Sequence, residues 1–383
     1  MKPSTIDKQN KNASAILSEI INQPTVSRAS ISSATGLNKS TVSEVVKQLI
    51  EAKLIVEIGA GESSPSGGRK PIFLKINKTA GVSLSIDIRF DQISLLTAYL
   101  DGEVIQTVSH HEQINKQNII TRLMKHISAI QQETPSTLFG LIGITISIHG
   151  VVHDNQISFT PYFDLDEIDL VTALKQHLAI PIYIENEANL SALAESAFNT
   201  PYTHMVSFSV HTGIGAGVIL NDHLYRGYKG RSGEIGHTVL YPGGIDCPCG
   251  NKGCFEQYCS FNALMKRYRQ IKNDQTLTYD QLINHYHEQD AETIDLINRF
   301  SRDLSIGLMN VMGAYDPEVI FINSEITDKL PEILPIVEQH ISRSIYNEIP
   351  VYRSELGSKA SLYGCAVYNI KTFLMVDQFR FNV

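Results

Sequence analysis

The 383-residue sequence predicts an α/β protein in two parts: a small module of three helices with a two-stranded wing, then a large module of alternating strands and helices. Three observations predict it. Apolar residues recur at helical spacing up to about residue 52, and short β-prone runs follow. From Gly81 onward, strand-like runs end repeatedly in polar or glycine-rich segments. Charge is also divided, since residues 1–76 hold ten Lys or Arg against six Asp or Glu, a net of +4, while the remainder carries −12. Hydrophobic residues at 43% and charged residues at 19% are enough for real cores and too little charge for disorder. No apolar run approaches the ~20 residues of a membrane span. The polar stretch from Met1 to Asn12 lacks a signal-peptide core, so membrane and secreted classes are excluded and a cytoplasmic chain is expected.

Taken in order, residues 12–23 place Ile16, Leu17, Ile20 and Ile21 on one helical face, and Pro24 closes the helix. Ser27 opens a shorter helix through Ala29, Ile31 and Ala34, after which Gly36 supplies the φ > 0 residue that a tight interhelical turn requires. Asn38 is a natural cap for a third helix reaching about Ala52, with Val42, Val45, Val46, Leu49 and Ile50 inward. Runs 54–58 and 71–76 read as the wing, joined by a tip containing Gly67-Gly68-Arg69-Lys70. The result is a winged helix-turn-helix, assigned to residues 1–77. A small protein-binding module is the alternative. DNA is favoured because the outer face of the third helix carries Lys39, Ser40, Thr41, Ser43 and Lys47 beside Asn38, short polar groups that reach base edges and phosphates, with no large apolar patch. Arg69 and Lys70 on a glycine tip suit phosphates or the minor groove.

The large module, residues 78–383, opens with strands at 82–88 and 93–100, an Asp101-Gly102 turn and a strand at 104–110, a strong hairpin signal. A helix at 118–132 precedes a buried strand at 141–148 ending in His149-Gly150. A strand at 182–184 runs into Glu185-Asn186-Glu187-Ala188-Asn189 and a helix through Ala194. A strand at 205–210 runs into Thr212-Gly213-Ile214-Gly215-Ala216-Gly217 and a further strand. Polar residues at strand ends place a ligand there. The tail reads as a helix at 293–314, a strand at 319–322 and a last helix at 362–373 that returns to the first lobe.

Four of the five cysteines lie between Cys247 and Cys259, which argues for a metal rather than disulfides. His237 with Cys247, Cys249 and Cys254 offers the four ligands of a closed, structural zinc site. A reduced cluster without an ion is the alternative. Four protein ligands leave no open position for a reacting water, and Cys259 reads as an ordinary buried thiol.

The ordered set of hairpin, Glu185-Asn186-Glu187-Ala188-Asn189, Thr212 to Gly217, Glu234-Ile235-Gly236-His237 and Cys247-Pro248-Cys249-Gly250-Asn251-Lys252-Gly253-Cys254-Phe255-Glu256 resembles the ROK family over roughly residues 80–370. That family contains sugar kinases and sugar-responsive repressors, and a winged helix ahead of the motifs is its repressor arrangement. The resemblance implies a two-lobed, actin- or hexokinase-like domain. It also implies sugar contacts at Asn186, Glu187, Glu234, His237 and Glu256. The physics agrees, because vicinal hydroxyls are read by carboxylates and amides that donate and accept in pairs. His237 can bind zinc through one nitrogen and offer the other to a hydroxyl. For His149, a core or loop role stands beside sugar contact. Within the family, Ile148-His149-Gly150-Val151-Val152 and Phe159-Thr160-Pro161-Tyr162-Phe163 resemble the xylose-responsive repressors of low-GC Gram-positive bacteria. The implied partners are therefore operator DNA, D-xylose as inducer with glucose a possible competitor, and a second copy in a homodimer.

Phosphoryl transfer is not expected. Where the family's phosphate loop resembles Asp-x-Gly-Gly-Thr, this chain reads Asp87-Ile88-Arg89-Phe90-Asp91. Arg89 and Phe90 replace the glycines that allow close approach. Asp91 adds a carboxylate that repels phosphate by up to about 4 kcal/mol at ~4 Å in an effective dielectric of ~20. Glu187 stands where kinases have Asp, one methylene too long for a base held to within ~1 Å. The segment from Thr212 to Gly217 remains open to two readings, residual nucleotide affinity or a tight turn kept by the fold. An active ROK kinase with a DNA-binding appendage is the competing function.

Overall fold

The computed structural model describes residues 11–60, 71–160, 165, 168–199 and 202–381. In the N-terminal module, α1 (Lys11–Asn22) buries Ile16, Leu17, Ile20 and Ile21 as their spacing requires. After β1 (Val26–Ser27), α2 (Arg28–Thr35) is capped by the Ser27 side chain and ends at Gly36 with φ 70°. In α3 (Lys39–Glu51), Asn38 is the cap and Val42, Val45, Val46 and Leu49 are buried. The wing strands β2 (Ile55–Ala60) and β3 (Ile72–Ile76) pair antiparallel. The wing differs from expectation in one respect. It is three-stranded, because Val26 and Ser27 pair with Leu74 and Phe73 on the free edge of β3. A two-residue strand is too short to leave a periodic signal. The tip with Arg69 and Lys70 lies outside the described residues, as do residues 161–163 of the Phe159 motif.

The first lobe is built on β4 (Val82–Arg89), β5 (Gln92–Tyr99), β6 (Val104–His111), α4 (Ile119–Glu133), β7 (Leu141–Ile148), the small hairpin β8 (Val151–His153) and β9 (Gln156–Phe159), α5 (Leu170–Lys175) and β10 (Ile182–Asn186). Its sheet has the order β10-β7-β4-β5-β6, and the edge strand β6 holds no buried residue, its side chains being half-buried or exposed. The β8–β9 hairpin was not foreseen, although its turn at Asp154-Asn155 carries φ of 49° and 62°, values these residue types tolerate. A helix α6 (Glu187–Phe198) leads to the second lobe: β11 (Met205–Val210), β12 (Ile214–Leu220), β13 (His223–Leu224), α7 (Glu256–Cys259), α8 (Phe261–Ile271), α9 (Tyr279–His287), α10 (Ala291–Tyr315), β14 (Val319–Asn323), α11 (Glu325–Lys329), α12 (Ile333–Ile341) and β15 (Val351–Arg353). The second sheet, β13-β12-β11-β14-β15, repeats the first: three antiparallel strands, then two parallel ones on the far side of the first strand.

The last helix, α13 (Ala360–Leu374), does return to the first lobe. Its buried Asn369 donates to Ser83 Oγ and the Leu84 carbonyl and accepts from Thr145 Oγ1, which leaves its amide satisfied against β4 and β7. Two glycines let α6 lie deep between its neighbours. A Cβ at Gly217 in β12 would stand 2.1 Å from the Ala188 carbonyl, and one at Gly364 in α13 would stand 1.9 Å from the Leu190 carbonyl. Beyond α13 the chain runs back as a strap. Met375 takes a left-handed φ of 55°, its carbonyl accepts from Ser14 Oγ of α1, and Asn22 at the end of α1 bonds the backbone of Gln378 and Arg380. Phe381 then donates its backbone N–H to Ala197 and stacks on Phe198 of α6 at 4.1 Å.

Candidate functional site

A cavity of about 380 Å³ opens where the strand ends of the two lobes meet, and His149, Asn186, Glu187, Glu234, His237 and Glu256 all line it. The topology brings them there. His149 directly follows β7, β10 ends at Asn186, Glu187 is the first residue of α6, and Glu256 is the first residue of α7. Glu234 and His237 arrive on the loop that follows β13.

Each side chain has its own anchoring. Asn186 caps α6 by accepting from the Asn189 N–H and donates to the Gly150 carbonyl, so one amide N–H remains for a ligand. Glu187 is buried, and its Oε1 accepts from Ser191 Oγ and Ser209 Oγ, tying the first turn of α6 to β11. Its extra methylene is thus used to reach serines. Glu256 is 3% exposed and accepts from the Ile214 N–H through Oε2. Burial, with the Glu256 carboxylate nearby, pushes Glu234 up to about 7.

On the other side of the cavity, Arg89, Phe90 and Asp91 form part of the wall. Phe90-Asp91 form the two-residue turn between β4 and β5, and Arg89 Nε folds back 3.1 Å from Asp87 Oδ2. His149 Nε2 lies 3.1 Å from the other Asp87 oxygen, which also accepts from Ser361 Oγ. Burial alone would raise the Asp87 pKa, but His149 and Arg89 hold it well below the usual carboxylate range. His149 therefore both buttresses Asp87 and lines the cavity. His211 was not foreseen. It lines the cavity beside the Thr212 segment, and burial lowers it to about 4, so it is neutral. Asn262 and Glu325 also line it, and no pattern in the sequence singles them out. The glycine segment itself is mostly strand. The turn is confined to residues 211–213, and Gly215 and Gly217 belong to β12.

Behind the cavity the ligand atoms of His237, Cys247, Cys249 and Cys254 lie within 4.8 Å of one another. Cys247 Sγ is 3.7 Å from His237 Nδ1, and Cys249 Sγ is 3.7 Å from Cys254 Sγ. Roughly 3.7 Å is the edge of a tetrahedron with metal–sulfur bonds of about 2.3 Å, so the donor set fits a metal ion of zinc's kind. Gly253 permits the tight return with φ 77°, where a Cβ would meet the Tyr241 carbonyl at 1.7 Å. With Nδ1 turned to the sulfurs, His237 Nε2 faces Glu234, 3.9 Å from its Oε2.

In the N-terminal module Lys39, Ser40, Ser43 and Lys47 are exposed on α3, with Thr41 half-buried. Asn38 Oδ1 is engaged in the cap, accepting from the Thr41 N–H and Ser40 Oγ, and Lys47 stands 3.8 Å from Glu51. Among the described residues, Lys39, Ser43 and the Thr41 hydroxyl make no side-chain hydrogen bond or ion pair.

The model of the ROK family matches residues 83–371, and that of winged helix-turn-helix DNA-binding matches residues 9–56. The chain belongs to the ROK family. This ROK protein is 37% identical over 374 residues to the xylose repressor of Bacillus spizizenii, spanning 95% of this chain and 96% of that one. Among solved structures, a ROK family transcriptional regulator described as a homologue of the Escherichia coli MLC protein superposes with TM-score 0.82 at 25% identity, covering 95% of this chain and 96% of that chain. A ROK glucokinase from Streptomyces griseus, solved with glucose and AMPPNP, gives TM-score 0.67 at 22% identity over 75% of this chain and 98% of that one, a likeness of fold. No helix among the described residues of this ROK protein is long and apolar enough to cross a membrane.

Proposed function

We propose that this protein is a cytoplasmic, sugar-responsive transcriptional repressor that binds operator DNA and is released by a monosaccharide, D-xylose foremost, with glucose as a competitor. The observation that carries the reading is a chain that pairs a winged helix-turn-helix with a hydroxyl-reading cavity and matches a xylose repressor across both. Residues 1–77 form the DNA-binding part, with Asn38, Lys39, Ser40, Thr41, Ser43, Lys47, Arg69 and Lys70 toward DNA. Residues 78–383 form the sugar-binding and dimerising part. Two copies present two winged helices to two half-sites of a palindrome.

Sugar enters beside Asn186, Glu187, Glu234, His237 and Glu256, with His149 at the wall. Zinc held by His237, Cys247, Cys249 and Cys254 would serve as a structural crosslink. His237 Nδ1 would face the metal and Nε2 the sugar, so that the ring's orientation is fixed. The carboxylates accept from sugar hydroxyls, and Asn186 donates its remaining N–H. Occupancy shifts α6, whose first turn is at the sugar and whose last turn bonds the strap on α1. A sugar that prefers the operator-free form must lower operator affinity by the same factor.

Binding without phosphoryl transfer is supported by the Arg89–Asp87 pair in the turn where phosphate would be held and by the engagement of Glu187 with serines. The test is a labelled operator from upstream of xylose-utilisation genes, titrated with protein and then with D-xylose. Release at millimolar sugar is expected, and unchanged binding overturns the reading. Sugar-dependent ADP release at about 1 s⁻¹ or faster would establish a kinase instead.

A further inference from the structure

We propose that Arg226 is a positioning residue for the sugar cavity, holding its two halves in register through Glu185; this rests on the cavity being the sugar site.

Arg226 touches no cavity atom and belongs to no motif noted in the sequence. It follows β13 in the second lobe and begins the loop that delivers Glu234 and His237. Ser232 donates its N–H to the Arg226 carbonyl, closing the loop upon itself. The Gly233 carbonyl accepts from Ala216 in β12, and Gly230 lies so close to β8 that a Cβ there would stand 2.1 Å from the Val152 carbonyl. The loop therefore leans on both lobes.

The first-lobe partner is Glu185, at the end of β10. Glu185 is 4% exposed, and both of its oxygens are used. Oε1 accepts from the Asn186 N–H at 2.9 Å and from Asn189 Nδ2 at 3.0 Å; Oε2 accepts from Arg226 Nε at 2.6 Å. Asn189 in turn donates its N–H to the Asn186 side chain, whose Nδ2 holds Gly150. One carboxylate thus links the loop carrying Glu234 to the strand end carrying Asn186. An exposed ion pair would contribute little. Here the guanidinium is 43% exposed but the carboxylate is buried, so removing the guanidinium leaves a buried charge beside Asn186 held only by the Asn186 N–H and the Asn189 amide. Its relaxation displaces one half of the cavity relative to the other.

The experiment compares the full-length protein with Arg226→Met, Arg226→Lys and the double variant Arg226→Met with Glu185→Gln. D-xylose affinity is measured by calorimetry, sugar-free operator affinity by gel shift, and amide exchange is followed over residues 226–237. Arg226→Met should weaken D-xylose about 10- to 100-fold, the effect of a buried charged group left unpaired. It should speed exchange in the loop and leave sugar-free operator affinity within twofold. Arg226→Lys should recover part of the affinity, and the double variant should recover thermal stability without recovering affinity. Xylose binding within twofold of the parent in Arg226→Met, or parallel losses in operator binding, melting and sugar affinity, would overturn the proposal. If the parent itself ignores D-xylose, the function proposed above fails, and unchanged loop exchange in Arg226→Met still overturns the role of Arg226.

Discussion

Asp87 shows how one substitution pattern rewrites a site. With glycines after it, the β4–β5 turn would present backbone to a ligand. With Arg89 and Phe90 there, the turn presents a guanidinium already paired to the same chain. Glu195 shows the opposite situation, a carboxyl with no cation among its hydrogen-bond partners in the described residues. It is fully buried in α6, bonded by Ser354 Oγ and Asn199 Nδ2, and burial raises it to about 7. Between the ordinary carboxylate range and pH 7 the folded chain keeps a proton that the unfolded chain releases, so this residue's contribution to stability is lost as pH rises through 7. Glu195→Gln should therefore gain on the parent with increasing pH, by on the order of 3 kcal/mol between pH 5 and pH 8, read from melting curves at the two pH values. A constant difference would contradict the assignment.

At the scale of elements, two devices set the cavity. The first is the seat of α6 between β12 and α13, which depends on Gly217 and Gly364 having no Cβ. Gly364→Val forces the helices apart, and chemical denaturation should show a loss of 1–3 kcal/mol or more, as overpacking of a tight contact gives. The second is the cysteine hairpin. Cys249→Ser removes one of the four groups that could hold a metal ion. Metal content by mass spectrometry should fall and D-xylose release of operator should weaken with it, because His237 loses its anchor. If the isolated parent carries no zinc, that coupling fails.

Across the whole molecule, the winged helix is bonded to the rest through the strap. Asn22 and Ser14 of α1 hold Met375, Gln378 and Arg380, and Phe381 continues to Ala197 and Phe198 at the far end of α6. Phe381→Ala combined with Asn22→Ala should leave D-xylose affinity and sugar-free operator affinity within a fewfold of the parent. The ratio of operator affinities without and with sugar should fall by about tenfold. Calorimetry and gel shifts on the same preparation measure all three quantities, and an unchanged ratio would remove the strap from the signalling route.

Local pattern was sufficient wherever a residue's job is settled by its near neighbours. Helical spacing around Ile16 to Ile21 and Val42 to Leu49, the Asn38 cap, the Gly36 turn, the paired hairpin strands and the ligand spacing of Cys247, Cys249 and Cys254 are all short-range physics, and they were legible in the chain. What the sequence could not disclose depends on partners far away along it. Glu187 turns to Ser209, Arg89 folds onto Asp87, β1 adds itself to β3, and Gly217 is required by a helix thirty residues earlier, roughly. His211, Asn262, Glu325 and Arg226 acquire their meaning only when two similar lobes close strand ends upon one another. Periodicity records which face of an element is buried; it carries no information about which distant side chain will be found there, and tertiary packing alone decides that.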